Sequence, residues 1–70
     1  MTVFFIDEET RGGDSNLIGP YDSFEKAHKA FLKELCLDEN ATYSRYGSDL
    51  SKGKYRDEEV ALEIIEREVL

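Results

Sequence analysis

Seventy residues with one cysteine, one histidine and 16 acids against nine bases, a net charge of −7, exclude an intrachain disulfide and a Cys/His zinc site. The same charge argues against a surface that hugs nucleic acid or anionic membrane over its whole extent. A chain of this length makes one domain, buries only about 60% of the surface its unfolded form exposes, and must be held together by packing. The opening run Met1-Thr2-Val3-Phe4-Phe5-Ile6-Asp7 has no basic region and is too short for a signal or membrane-spanning segment. The expectation is a cytoplasmic protein.

Val3-Phe4-Phe5-Ile6 is β-branched and aromatic and predicts a strand buried on both faces or nearly so, bounded by Asp7-Glu8-Glu9. The breakers Gly12-Gly13-Asp14-Ser15 follow, and Leu17-Ile18 resumes apolar character, which together predict a β-hairpin with a long connection over 8 to 16. Pro20 should end the second strand, because it cannot donate to a ladder.

Asp22 is the expected N-cap of a helix, with Glu25 reaching back in a capping box. Phe24, Ala27, His28, Phe31 and Leu35 share one helical face and Lys26, Lys29 and Lys33 the opposite one. From Asp38 to Arg56 the chain is polar and turn-rich, and predicts a long loop with one short turn or strand. A connection of that length in a small chain signals either function or a missed element. For residues 57 to 70, Asp57-Glu58-Glu59 is a good helix start and Ala61, Leu62, Ile65 and Val69 share a face, so a C-terminal helix is preferred. The alternative is a third strand, giving ββαβ, because Ile64-Ile65 tolerates β structure and a third strand would steady the hairpin. The fold class is α+β.

The segment Leu17-Ile18-Gly19-Pro20-Tyr21-Asp22-Ser23-Phe24-Glu25-Lys26-Ala27 resembles the strand-to-helix corner of SPOR-type peptidoglycan-binding domains. Such domains contain two related strand–helix halves, of which the second is not visible here, and no glycan-binding function is carried over from the corner alone.

No catalytic, metal or cofactor motif is present, and no cofactor is expected. His28 and Cys36 lie eight residues apart, about 12 Å along a helix, too far for a nucleophile–base pair; Cys36 reads as a small buried hydrophobe and His28 as a packed residue at the edge of the core. The carboxylates Asp7, Glu8, Glu9 and Asp14, and Asp57, Glu58 and Glu59, lack the spacing of a cation-binding loop. Gly12-Gly13 could cradle an anion only against the repulsion of those acids.

Two surfaces remain as binding candidates. In a C-terminal helix Asp57 would sit at the start and Glu59, Glu63 and Glu66 would form a carboxylate ladder at roughly 5 to 6 Å spacing, able to imitate a run of phosphates to a basic protein groove. Tyr43, Arg45, Tyr46, Lys52, Lys54 and Tyr55, with Arg56, interleave aromatic and basic groups in the manner of single-strand nucleic-acid contacts. The leading expectation is a non-enzymatic acidic regulator that binds a protein with a basic surface, such as a phage-type inhibitor of a nucleic-acid-handling enzyme. The alternative is a nucleic-acid-binding module using residues 43 to 56. No membrane partner is expected, and the small core is compatible with a homo-oligomer.

Overall fold

The computed structural model describes residues 1–42, 44–45 and 47–69, with Arg45 described in its backbone alone. The chain runs β1 (Thr2–Thr10), β2 (Ser15–Tyr21), α1 (Phe24–Glu34), β3 (Ser44–Arg45), β4 (Ser48–Asp49), a 3₁₀ turn (Leu50–Lys52), β5 (Lys54–Arg56) and β6 (Val60–Glu68). The strands form one antiparallel sheet in the order β2-β1-β6-β5-β4-β3. The fold is α+β, and several of its details differ from the sequence expectations.

The C-terminal segment is a strand. β6 pairs with β1 over nine positions, from Thr2 opposite Glu68 to Thr10 opposite Val60, and the backbone bond from Val69 N–H to Met1 O (2.7 Å) continues the pairing. The expected helix loses because β1 is flanked by β2 on one side only, and a nine-residue row of backbone donors and acceptors on its other side requires a partner. Asp57 does cap a turn, but it is the turn between β5 and β6: its Oδ1 accepts from the N–H of Glu59 (2.7 Å) and of Val60 (2.8 Å). The same acidic signature that starts a helix here reverses a hairpin.

β1 continues through Asp7-Glu8-Glu9 to Thr10, so the connection to β2 is residues 11 to 14 and not 8 to 16. Pro20 lies inside β2, next to a register shift opposite Phe4 to Ile6 and after a cis Gly19–Pro20 bond; β2 is an edge strand, where a missing donor is tolerated. Residues 38 to 56 hold three short strands and the 3₁₀ turn in place of one long loop.

Helix α1 is capped by Ser23, whose Oγ accepts from the Lys26 N–H (3.2 Å), and not by Asp22, whose carboxylate instead meets Lys26 Nζ at 2.9 Å. The helix closes with Leu37 N–H bonded to Leu32 O (2.9 Å) across Cys36, which takes the left-handed conformation at φ 56°, a Schellman-type stop. Cys36 is exposed, not buried as expected, because the residue at this position turns outward as the chain leaves the helix.

The core is Ile6, Phe31, Leu32, Leu50 and Leu62, with Ala27 fully buried beside them. Leu50, from the 3₁₀ turn, is completely buried, which explains why residues 48 to 56 cannot be a free loop. Ile6 and Phe4 of β1 point toward α1, the Phe4 ring meeting Phe24 edge-on at 6.1 Å. By strand alternation Val3, Phe5, Asp7 and Glu9 point to the other face, which no described element covers. Val3 and Phe5 are therefore only half-buried, not enclosed on both sides.

Candidate functional site

The sheet brings together two acidic segments that lie more than forty residues apart in the chain. Thr10 and Val60 are opposite partners at one end of the central pair, and the Arg11 N–H bonds to Glu59 O at 2.8 Å. The β1–β2 turn and the β5–β6 turn are thereby joined. Glu9 and Asp14 from one side and Asp57, Glu58 and Glu59 from the other gather around that end, with Arg11 and Arg56 as the bases among them, while Glu8 points to the face that carries α1. A depression of about 160 Å³ opens there, lined by Glu9, Arg11, Arg56 and residues 57 to 59.

The backbone of this end is well determined by its own hydrogen bonds. Thr10 N–H bonds to Asp14 O (2.9 Å) and Gly13 N–H to Thr10 O (3.0 Å), which closes the first turn with Gly13 at φ 90°. In the second turn the Asp57 carboxylate accepts from the Val60 and Glu59 amides and from the Tyr55 hydroxyl (2.8 Å). These bonds, the Val60 amide first, hold the Asp57 carboxyl below the usual aspartate range. Asp49 is lowered in the same direction, chiefly by the Ser51 hydroxyl at 2.7 Å. Among the described residues, no group of three or more His, Cys, Asp or Glu side chains converges so as to hold a metal ion, and no helix is long and apolar enough to cross a membrane.

The expected carboxylate ladder is not formed. Glu59 is in the turn, Glu63 lies on the uncovered face opposite Asp7, and Glu66 lies opposite Phe4 on the face that carries α1. A strand period of two sends residues 63 and 66 to opposite sides, where a helix would have aligned them. Asp57 and Glu59 do share the acidic end.

The aromatic and basic set is likewise divided. Tyr43 and Tyr46 lie outside the described residues, as does the side chain of Arg45. Lys54 and Arg56 sit on the uncovered face, Lys54 Nζ 3.5 Å from Glu63. Tyr55, between them, turns inward, packs on the core and spends its hydroxyl on Asp57. Lys52 reaches Asp49 at 4.0 Å. His28, as expected, is packed, its ring between Phe24 and Phe31 at centroid distances of 5.5 and 6.0 Å.

Sequence reasoning missed the outward row of β1. The apolar run Val3 to Ile6 shows no alternation from which one face could be read as uncovered, and Ile64-Ile65 breaks it in β6. Comparison of the chain with protein-family models, with curated proteins and with solved structures found no match.

Proposed function

We propose that the chain is a non-enzymatic regulator that binds another protein through the acidic end of its sheet. Its partner presents a basic surface, of the kind found in the groove of a nucleic-acid-handling enzyme. The reading rests on one observation: both acidic turns are locked side by side by the Arg11–Glu59 backbone bond, so that Glu9, Asp14, Asp57, Glu58 and Glu59 stand with Arg11 and Arg56 at one preformed end of the sheet. Preformed charge of one sign steers a cationic partner and costs little ordering on binding. The chain's net charge of −7 adds to the steering.

The test uses wild-type protein and an Asp14→Lys/Glu58→Lys/Glu59→Lys variant as baits in a nuclease-treated lysate, with circular dichroism as the check on folding. The expected result is a basic nucleic-acid enzyme held by the wild type, released by salt and absent from the variant. The captured enzyme, once purified, should lose its nucleic acid when the wild-type protein is added. Equal capture by both baits, or none by either, overturns the proposal.

A further inference from the structure

We infer that the uncovered face of the sheet is self-complementary and that a second copy of this chain covers it, with β6 on the two-fold axis. The face can be read in rows from the strand register. One row runs Arg56, Ala61, Glu9 across β5, β6 and β1. The next runs Asp49, Lys54, Glu63, Asp7 from β4 to β1 and ends at Leu17 on β2. The third pairs Ile65 with Phe5 and the fourth pairs Arg67 with Val3. Bases of the first two rows thus stand on β5 and acids on β1, with the small Ala61 between them flooring a depression of about 300 Å³.

A two-fold axis parallel to β6 and midway between two facing sheets lays β5 of each copy over β1 of the other. Arg56 then meets the other copy's Glu9, Lys54 meets Asp7, and Ala61 and Ile65 meet their own counterparts on the axis. An isologous interface requires that a surface complement itself in this way. Turning the axis across the strands pairs the first row with the fourth and loses both charge contacts. Aligned packing of two sheets about 10 Å apart is an ordinary arrangement. The axis sets Glu63 against Glu63, but each already carries Lys54 Nζ at 3.5 Å.

Apolar and charged features of the face also fit a covered surface. Val3, Phe5 and Ile65 are half-buried with no described element over them, and Asp7 stands directly opposite Glu63, a like-charge pairing that disfavours the isolated sheet. The footprint spans roughly 14 Å across four strands and roughly 20 Å along β1. That footprint, roughly 280 Å² per copy, is well below the size of stable complexes, so the dimer is weak and forms only at high protein concentration.

The test measures association by sedimentation equilibrium for the wild type, Glu9→Arg, Arg56→Glu and an equimolar mixture of the two variants. Either variant alone places like charges at both symmetry-related contacts, whereas the mixed dimer restores Arg against Glu at both. The expected result is a wild-type dimer, at least about tenfold weaker association of each variant, and recovery in the mixture, with native mass spectrometry identifying the mixed species. Recovery also shows that the variants are folded. A wild type that stays monomeric into the millimolar range, or variants that dimerise as well as the wild type, overturns the inference. Glu9 and Arg56 border the acidic end, but the readout is self-association of the purified chain with no other protein present, so neither outcome depends on whether that end binds a partner.

Discussion

His28 Nε2 lies 2.7 Å from the carbonyl oxygen of Leu50, and because a carbonyl can only accept, the imidazole donates at that nitrogen. The bond ties α1 to the 3₁₀ turn across 22 residues of chain, while the ring fills the space between Phe24 and Phe31. His28→Ala should lower unfolding free energy by roughly 1.5 to 3 kcal/mol, the sum of a lost bond and lost packing. His28→Phe keeps the ring but strands the Leu50 carbonyl, at a cost of about 1 to 2 kcal/mol. Urea denaturation of the two variants separates the contributions.

Gly53 lies under Ile64. Its φ of 72° is left-handed, and a Cβ there would approach Ile64 Cγ1 to 2.7 Å and Cβ to 3.0 Å. Gly53→Ala should destabilise by roughly 2 to 4 kcal/mol, combining backbone strain with overpacking. Adding Ile64→Val in a double-mutant cycle should give a coupling of at least about 0.5 kcal/mol; strict additivity would mean that strain alone carries the cost.

Asp57 titrates below the usual aspartate range because its ionised form is bonded to the Val60 and Glu59 amides and the Tyr55 hydroxyl. A carboxyl depressed in the folded state adds stability above its unfolded value of about 3.9 and loses it as pH falls through the folded value. The urea midpoint should therefore drop on acidification below about pH 4, and Asp57→Asn should flatten that part of the profile. At neutral pH the same variant should be less stable than wild type.

Cys36 holds a left-handed conformation that costs an L-residue with a Cβ roughly 1 to 2 kcal/mol. Part of that is recovered in Cys36→Gly, offset by the greater freedom of glycine in the unfolded chain. The expected outcome is a gain of up to about 1 kcal/mol. A loss of stability in thermal denaturation would show that the freedom glycine gains in the unfolded chain outweighs the relieved strain.

Legibility in the sequence followed the range of the interactions. Helix α1 was readable because Phe24, Ala27 and Phe31 repeat at its own period and a cap stands just before it, although the capping oxygen belongs to Ser23 and not to Asp22. β6 was ambiguous because residues 60 to 65 satisfy both periods: Ala61, Leu62 and Ile65 share a helical face, while Val60, Leu62 and Ile64 share a strand face. Pairing decides between them: with the short β5 next to it and, over nine positions, with β1, fifty or more residues away. The acidic end had the same fate. Each turn was visible as a charge run, but their contact is a property of the register from Thr10 to Val60.

The placement of β6 beside β1 at the middle of the sheet sets the order in which the molecule can assemble. β1, β2 and α1 form an uninterrupted local unit of sequence, yet Ile6 and Phe31 depend on Leu62 to close their core, so the first half has no complete hydrophobic interior of its own. Pairing Thr2 with Glu68 closes nearly the whole chain into one loop, whose entropy is spent before the central ladder returns any stability. A nascent chain on the ribosome must therefore hold its N-terminal strand unpaired on one edge until residues 60 to 68 have emerged.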